Sequence, residues 1–449
     1  MPRPGPIEPN IVFIFSDQQR WDTLSCYGVP ANLSPNLDLM ASEGTRFEFA
    51  FTCQPVCGPA RACLQTGKYA TETGCFTNHR RLPAGETTIA HLLKSAGYQV
   101  GYIGKWHLAS CGPPGGVDDF RQRPVPPERR GGYDDFWLAS DVLEFTSHAY
   151  DGYVFDGQGR RRDFPPGRYR VQVLTDWAIE YLENCSWEKP FFLFLSYLEP
   201  HHQNDHGHFE GPYGSREKFS ACPVPADLKN LEGDWEREYP DYLGCCASLD
   251  EAVGRLRRCL ERLGLLDQTL VIYTSDHGCH FRTRNSEYKR SCHESSIRIP
   301  LIISGPGFRT GKVVSRLVSL IDLPPTILKS AGVSVPLSMR GRALQETLSP
   351  EKDWRDEIFI QISESQVGRA LRTRHWKYSV MAPGKNGVSD PGSNFYREEF
   401  LYDLSQDPLE QNNLVAEPGT AVIRRQLASR LRERMVEAGE SPPVIKPAG

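Results

Sequence analysis

The sequence predicts an α/β fold in which helices sandwich a mainly parallel central sheet, followed by a smaller C-terminal α+β subdomain. Over the first two-thirds of the chain, apolar runs of strand length alternate with segments of helical periodicity. Several of these runs are apolar throughout, which is typical of strands buried on both faces of a parallel sheet. The 449 residues exceed what one compact core usually holds, so a second, smaller unit is expected.

The elements of the larger unit can be placed in chain order. The run 11–15 is predicted as the first strand. Ser34 and Pro35 are an N-cap and a first-turn proline, and they begin a helix that Gly44 ends. The further predicted elements are a helix over 89–96, a strand over 99–103, a helix over 174–182, a strand over 191–198, a helix over 249–263, and strands over 270–273 and 300–304.

Two regions depart from this alternation. Residues 110–170 are rich in Gly, Pro, Arg and aromatic residues, and we predict an irregular insertion near the mouth of the site. After about residue 345 the pattern changes to short strands over 358–362, 370–372 and 376–381 and a terminal helix over 421–438. We therefore expect a catalytic domain over 1–345 and a C-terminal subdomain over 346–449, built from an antiparallel sheet and the terminal helix.

Composition excludes some classes of function. The chain has 52 Lys and Arg against 56 Asp and Glu, a net charge of -4, which argues against nucleic acid as a partner. No apolar run approaches the roughly 20 residues of a membrane helix, so no membrane partner is expected. The 13 cysteines are an odd number and lack the regular spacing of a disulfide-bonded framework. Residues 1–9 lack the apolar region of a signal peptide. A cytoplasmic location is expected, or a periplasmic or secreted one if a leader was removed.

Polar side chains follow three of the predicted strands. Asp17 and Gln18 follow the first strand, Asp276 and His277 follow a later one, and a pair of histidines at 201 and 202 follows a third. In α/β sheets, ligands gather beyond the carboxyl ends of the strands. The carboxylates suit a hard divalent cation, although an N-cap or a turn is the simpler explanation of each one alone.

The most specific stretch runs from Cys57 to Arg61 and includes Pro59. Proline suits the first turn of a helix, so Cys57 is expected at a helix N-terminus, where the free N–H groups and the helix dipole favour an anion. Arg61, four residues on, can share that face and pair with the anion. A buried free cysteine beside a helix start explains the same residues without any chemistry.

This stretch, with Leu64, Thr66 and Gly67, resembles the C-x-P-x-R…L-x-T-G signature of the type I sulfatases in the alkaline-phosphatase-like superfamily. Further segments resemble family motifs in the same order along most of the chain. They are the opening strand and metal loop at 9–18, the S-P-N-L-D helix at 34–44, G-K-W-H at 104–107, S-D-H-G at 275–278, and L-Y-D-L at 401–404 with Asp407, Pro408, Asn413 and Leu414.

The resemblance implies a mechanism. A dedicated maturation enzyme would oxidise Cys57 to formylglycine, whose hydrated gem-diol attacks sulfur and displaces the substrate alcohol. The second hydroxyl then re-forms the aldehyde and expels sulfate, which is covalent catalysis by a nucleophile that unmodified cysteine cannot supply. The implied partners are this maturation enzyme and a sulfated substrate.

The resemblance also assigns the site residues. The metal ligands would be Asp17, Gln18, Cys57, Asp276 and His277. Many members have Asp where Gln18 stands and Asn where His277 stands, so Ca²⁺ is favoured but Mn²⁺ and Mg²⁺ stay open. The implied catalytic set is Cys57, Arg61, Lys105, His107, His201 and Lys289, and the implied substrate contacts are Asn78, His202 and His293.

Lys105 and His107 would steady the nucleophile and the sulfate oxygens, and Lys289 would bind sulfate as a second lysine. His201 would protonate the departing alcohol, with His202 as the alternative. Loop packing is the competing interpretation of His293. Arg80 and Arg81 follow Asn78 and are expected to be solvated.

The function implied is hydrolysis of an O-sulfate on a carbohydrate of glycosaminoglycan or mucin type. Aromatic and polar side chains of the insertion are candidates for sugar contacts, although they can equally pack the loop: Trp137, Phe145, His148 and Tyr150. A phosphonate or phosphate ester hydrolase of the same superfamily is the first alternative. A catalytically silent glycan-binding protein is the second, and a homo-oligomer is left open.

Overall fold

The computed structural model describes residues 8–29 and 32–448, so most of the N-terminal segment 1–9 lies outside the described residues. The strands of the large sheet are β1 (Asn10–Ser16), β2 (Thr45–Phe51), β3 (Gln99–Lys105), β4 (Phe136–Ser140), β5 (Tyr153–Asp156), β6 (Arg161–Asp163), β7 (Phe191–Ser196), β8 (Thr269–Ser275), β9 (Arg298–Ile299), β10 (Leu301–Ser304) and β11 (Lys312–Ser319). The helices around it are α1 (Pro35–Glu43), α2 (Cys57–Thr66), α3 (Ala70–Thr73), α4 (Ile89–Ser95), α5 (Arg170–Asn184), α6 (Ser215–Phe219), α7 (Ala226–Lys229), α8 (Trp235–Arg262), α9 (Glu294–Ile297) and α10 (Leu323–Ser330).

The strand order across this sheet is β11-β2-β10-β8-β1-β7-β3-β4-β5-β6, and β9 pairs with β2 outside this path. The central strands β8, β1, β7, β3 and β4 run parallel to one another. On one side β5 and β6 continue the sheet in antiparallel fashion, and on the other β10 is antiparallel to both of its neighbours. The predicted fold class, with its mainly parallel central sheet, is confirmed.

Helices cover both faces of this sheet, because alternate side chains of a strand enter different cores. In β1, Ile11, Phe13 and Phe15 pack into a core that contains side chains of α2, α4 and α10. Val12 and Ile14 face a second core that contains side chains of α1, α5 and α8. Burial on both faces explains why this strand is an unbroken apolar run in the sequence.

The insertion is more ordered than its composition indicated. β4 extends the central sheet beside β3, and β5 and β6 continue that edge as antiparallel strands. The insertion is therefore irregular over most of 110–170 but contains these three strands. These strands are only three to five residues long, which is too short for local periodicity to reveal, and β4 depends on pairing with β3, which lies before the insertion.

The helix predicted over 249–263 begins much earlier in the structure. α8 starts at Trp235 and contains Pro240 in its second turn. A proline near the start removes one backbone hydrogen bond there and leaves the rest of the helix intact. None of the helices within the described residues, α8 included, is both long and apolar enough to span a bilayer.

The C-terminal part contains the predicted second sheet and terminal helix: β12 (Glu357–Ile362), β13 (Gly368–Thr373), β14 (Trp376–Met381), β15 (Phe395–Asp403), α11 (Ala421–Glu437) and β16 (Val444–Lys446). β12 to β15 are antiparallel in chain order, and β16 differs from the expectation because it joins β15 in parallel. One face of this sheet packs on α11. The other packs on Phe51, Ile297 and Leu317 of the larger unit, so the two sheets share a buried interface.

Candidate active site

Neighbouring parallel strands bring their carboxyl ends together at one edge of the central sheet. Asp17 and Gln18 follow β1, Asp276 and His277 follow β8, and Lys105 is the last residue of β3. Between β1 and β3 lies β7, which leads into the segment with the two predicted histidines. The topology therefore gathers the predicted polar groups at one place, as expected for a parallel sheet.

Cys57 is the first residue of α2, a helix whose residues are all buried. Its Sγ lies 2.8 Å from Lys289 Nζ, 3.3 Å from His277 Nε2 and 3.4 Å from Asp17 Oδ1. Burial and the negative charge of Asp17 raise the pKa of Cys57 to about 12, although Lys289 opposes this shift. With its pKa raised in this way despite the nearby lysines, the thiol of unmodified Cys57 is a poor nucleophile at neutral pH.

The same cluster can hold a divalent metal ion. Gln18 Oε1 and Asp276 Oδ2 are buried and lack a hydrogen-bond partner among the described residues. His277 Nδ1 is 3.0 Å from the carbonyl oxygen of Gly278, which can only accept, so Nδ1 donates and Nε2 keeps its lone pair. Carboxylate and amide oxygens with one imidazole nitrogen fit Ca²⁺ or Mn²⁺. Four side chains place a ligand atom within 4.8 Å of one another: Asp17, Cys57, Asp276 and His277.

The two carboxylates of this cluster differ in charge state. Burial alone would raise the pKa of Asp17, but Lys105 and the other nearby cations hold it well below its usual range. Burial and the negative charge of Asp17 raise the pKa of Asp276 to about 7. A divalent cation between the two side chains would stabilise both as carboxylates.

Arg61 lies beneath the carboxylates and not in the cavity. Its Nη2 is 3.0 Å from Asp17 Oδ2 and 3.8 Å from Asp276 Oδ2. Its Nη1 donates to the Lys105 carbonyl at 2.9 Å and to Ser196 Oγ at 2.7 Å. Arg61 thus pairs with the carboxylate of Asp17, whose other oxygen lies beside Cys57 at the start of α2, and a catalytic role for Arg61 stays a prediction. Only 2% of this side chain is exposed, and it holds the carboxylates in position.

Lys105 and His107 reach the site as predicted, and Glu144 joins them. Lys105 Nζ lies 2.9 Å from Asp17 Oδ2 and 3.0 Å from Glu144 Oε1. His107 lines the same cavity as Cys57, and its φ of 59° places the residue in the left-handed region. Sequence reasoning missed Glu144, whose only signal was its place beside an aromatic residue in the insertion.

His201 contacts the second lysine of the site. Its Nε2 is 3.1 Å from Lys289 Nζ, and its Nδ1 is 2.6 Å from the carbonyl oxygen of His202. Because the carbonyl accepts, Nδ1 donates and Nε2 accepts from the ammonium group. Burial and Lys289 lower the pKa of His201 well below its usual range. The His202 ring stacks on it at 4.6 Å, and burial and Lys289 lower the pKa of His202 to about 3.

Two of the predicted substrate contacts have different surroundings. Asn78 lies at the cavity, where its Oδ1 accepts a hydrogen bond of 2.9 Å from the Gly58 backbone N–H. His293 is buried outside the cavity, with Nε2 3.2 Å from the Tyr402 hydroxyl and its ring against Phe400. His293 therefore has the surroundings of a packing residue, which favours loop packing, and its role as a substrate contact stays a prediction.

The cavity above Cys57 has a volume of about 220 Å³. Besides Glu144, its walls include other residues that the sequence did not predict as part of the site. Its lining includes Cys57, Asn78, His79, His107, Arg121, Glu144, Phe145, His201, His202, Asn204, Glu287, Lys289, Arg290 and Glu364. Charged and polar groups dominate this lining, which suits a small anionic ligand.

Comparison with known protein families identifies the family to which this site belongs. The family model described as Sulfatase matches residues 9–333. The chain belongs to the sulfatase family. A second model, described as N-sulphoglucosamine sulphohydrolase, C-terminal, matches residues 286–437. The resemblance inferred from the C-x-P-x-R stretch is thereby confirmed, and with it the prediction of a sulfatase enzyme.

Similar proteins cover nearly the whole chain. An ulvan-active sulfatase from Formosa agariphila is 29% identical over 97% of this chain and 82% of its own length. An N-acetylglucosamine-6-O-sulfatase from Bacteroides thetaiotaomicron is 27% identical over 97% of this sulfatase and 88% of its own length. A protein whose structure was solved in complex with its substrate, D-glucosamine-2-N,6-O-disulfate, is also similar. It has a TM-score of 0.76 and is 25% identical, over 97% of this chain and 99% of its own. The phosphonate monoester hydrolase of Agrobacterium radiobacter, at 23% identity and a TM-score of 0.70 over 96% of each chain, shares the fold.

Proposed function

We propose that this sulfatase removes an O-sulfate from a carbohydrate through Cys57 in its oxidised, formylglycine form. The observation that carries the proposal is the contact of Cys57 with Lys289 and His277 at the base of a small polar cavity. Two relatives are named for ulvan and for N-acetylglucosamine 6-sulfate, which supports a saccharide substrate.

The modification matters because the thiol itself is unsuited to the reaction. Formylglycine supplies a geminal hydroxyl pair, which a thiol with a raised pKa cannot replace. Cys57 is buried, so a maturation enzyme must act before the chain folds around α2. That enzyme is the protein partner we infer, and the sulfated saccharide is the ligand partner.

The surrounding side chains have separable roles. Lys289 and Lys105 place two ammonium groups beside Cys57 and Asp17, where they would bind the sulfate oxygens and the charge that develops on them. His107 lines the cavity and can donate a further hydrogen bond to sulfate. His201 and Lys289 both line the cavity, and His201 Nε2 accepts from the Lys289 ammonium group. We infer that His201 passes a proton from this ammonium group to the departing alcohol oxygen.

A divalent metal ion completes the proposed site. Asp17, Gln18, Asp276 and His277 would hold it together with the modified Cys57, and it would supply positive charge to the sulfate oxygens. Ca²⁺ is the ion we favour, with Mn²⁺ and Mg²⁺ as alternatives. We expect one equivalent of bound metal by elemental analysis, removal by a chelator with a fall in melting temperature, and recovery on adding the native ion. A chelator-treated protein with an unchanged melting temperature would contradict this assignment.

The thirteen cysteines, all within the described residues, are free. This arrangement supports the inference of a reducing, cytoplasmic environment. Cell fractionation with an antibody against the native protein tests it. Recovery in a periplasmic or extracellular fraction would contradict the inference.

The proposed activity is tested by inorganic sulfate release from a panel of sulfated saccharides, with protein co-expressed with a maturation enzyme. Cys57→Ala is the blank, and Cys259→Ala is the matched control because that cysteine is also buried in a helix but lies in the other core. Release by the native and Cys259→Ala proteins, and not by Cys57→Ala, is the expected result. No release from any saccharide, with formylglycine confirmed by peptide mass, would overturn the proposal.

Hydrolysis of phosphonate or phosphate esters is the second candidate function. The imidazole of His277 and the amide of Gln18 among the metal ligands favour it. Matched sulfate and phosphonate esters of one alcohol separate the two activities, and we expect a higher kcat/KM for the sulfate. A higher value for the phosphonate would reverse the assignment. Binding of a sulfated saccharide without turnover of any ester would instead indicate a silent glycan-binding protein.

A further inference from the structure

The catalytic cavity is small, and two larger grooves adjoin it. One groove, of about 710 Å³, shares His79 and Cys111 with the cavity and is here called the arginine groove. The other, of about 470 Å³, shares Glu144, Phe145 and Asn204 with it and is here called the insertion groove. A cavity of about 220 Å³ has room for little more than one sugar and its sulfate, and the two grooves are the adjoining spaces open to neighbouring sugars of a longer substrate.

Positive charge dominates the arginine groove. Its lining includes Arg80, Arg81 and Arg129. Arg81 and Arg129 share one carboxylate, that of Asp118, which lies 3.6 Å from Arg129 Nη2. Arg80 is exposed, its guanidinium lies 4.5 Å above the Phe76 ring, and none of the described carboxylates is within ion-pair distance of it. Arg81 and Arg129 thus share one carboxylate between them, and Arg80 adds a third positive charge that no described carboxylate balances.

The insertion groove has the opposite character. Asp151 and Asp205 line it with 77% and 58% of their side chains exposed. The His148 ring lies between them, 3.1 Å from Asp151 and 2.9 Å from Asp205. Arg161, its only lining arginine among the described residues, pairs with Asp163 at 2.5 Å. An anionic sugar is therefore repelled on this side of the cavity and attracted on the other.

We propose that the arginine groove binds an anionic group, a carboxylate or a second sulfate, on the sugar next to the one that carries the scissile sulfate ester. Guanidinium groups suit both anions, because their N–H fork matches paired oxygens. Arg80 and Arg81 are the principal contacts and Arg129 supports them. The substrate is then a polyanionic saccharide and not an isolated sulfated sugar, an inference that rests on the proposed function.

The test compares three substrates with the same scissile ester: a sulfated monosaccharide, a disaccharide with a neutral neighbour, and a disaccharide whose neighbour carries a carboxylate. A fourth substrate, a disaccharide whose neighbouring sugar carries a sulfate in place of the carboxylate, shows which of the two anions the groove prefers. Arg80→Ala/Arg81→Ala is the test variant. Arg160→Ala/Arg161→Ala is the matched control, since it removes two adjacent arginines whose side chains are 75% and 56% exposed and of which Arg161 lines the insertion groove.

The native enzyme should prefer the anionic disaccharide, and the test variant should lose that preference by roughly tenfold in the ratio of KM values. The control variant should keep the native ratio. A native enzyme with no preference, or an equal loss in both variants, would overturn the proposal.

Binding provides a readout that does not depend on turnover. Calorimetric titration with the anionic disaccharide compares the Cys57→Ala protein with the same protein that also carries Arg80→Ala/Arg81→Ala. The added substitutions should raise the Kd roughly tenfold, and added salt should weaken binding to the Cys57→Ala protein. If no ester is hydrolysed but this difference in Kd is found, the proposed activity fails while the groove stands. Equal Kd values with and without the Arg80→Ala/Arg81→Ala substitutions would refute anion binding by the arginine groove, whatever the activity.

Discussion

Lys289 joins the nucleophile position to the proposed proton donor, since its Nζ contacts both Cys57 Sγ and His201 Nε2. Substitution by alanine removes a buried positive charge from the place where sulfate charge develops. We expect Lys289→Ala to lower kcat/KM by roughly 10²–10³-fold, as for loss of one oxyanion donor. The measurement is steady-state sulfate release, with Lys329→Ala, 49% exposed, as the control. Native kinetics in Lys289→Ala would contradict the role.

His201 and His202 stack on each other, but only His201 contacts Lys289. A sugar hydroxyl needs a proton to leave, whereas a nitrophenol leaves readily as its anion. We therefore expect His201→Ala to lower kcat/KM for a saccharide sulfate by roughly 10²-fold or more and to affect 4-nitrophenyl sulfate much less. His202→Ala is the comparison, and it should affect both esters alike. The reverse pattern would transfer the role to His202.

At the scale of the element, β3 depends on a glycine. Gly104 has a φ of 103°, and a Cβ at this position would lie 1.9 Å from the Ser196 carbonyl of the neighbouring β7. This contact is with backbone and cannot be relieved by a rotamer change. We expect Gly104→Ala to lower the free energy of unfolding by more than about 4 kcal/mol, which urea denaturation measures.

Gly97→Ala is the matched control for this substitution. Gly97 also has a positive φ, 92°, but beyond its chain neighbours no described heavy atom lies within 4 Å of the place that a Cβ would take. Only the backbone cost of about 1–2 kcal/mol therefore remains. Equal losses of stability in the two variants would show that the contact between β3 and β7 relaxes.

Elements with a strong local signal were predictable from the sequence. The apolar run of β1 and the proline at the start of α1 carry their own structural preferences, and the prediction agrees with the structure there. β4 and β16 were missed because their stability comes from strands far away in the chain. The start of α8 was missed because Pro240 resembles a helix boundary.

The candidate site divides in the same way. Cys57, Lys105 and Lys289 were found because motifs mark them, and the structure brings all three together. The surroundings of Arg61 and the place of Glu144 depend on which segments meet across the sheet. The spacing of residues along the chain does not show which segments contact each other across the sheet. The surroundings of Arg61 and the position of Glu144 therefore could not be predicted from the sequence.

At the scale of the whole molecule, a buried ion cluster joins the C-terminal sheet to α9 of the larger unit. Lys377 of β14 is fully buried and lies 2.7 Å from Glu294 and 2.6 Å from Glu410. Arg372 of β13 adds a contact of 3.2 Å to Glu294. Glu294 opens α9, five residues after Lys289, so this cluster fixes a catalytic segment against the C-terminal sheet. We propose a boundary near residue 345 between two units, 1–345 and 346–449, that unfold together.

Lys377→Met tests this coupling. The substitution leaves two carboxylates buried without their shared cation, which costs about 3–5 kcal/mol when one partner of a buried pair is removed. We expect urea denaturation, followed by tryptophan fluorescence and by far-UV circular dichroism, to show one transition at a lower midpoint in both signals. Lys385→Met should cost less than about 1 kcal/mol, because Lys385 is 42% exposed and 3.4 Å from Asp390. Two separated transitions, with the larger one at the native midpoint, would show that the C-terminal sheet unfolds independently and that the ion cluster does not stabilise the catalytic segment.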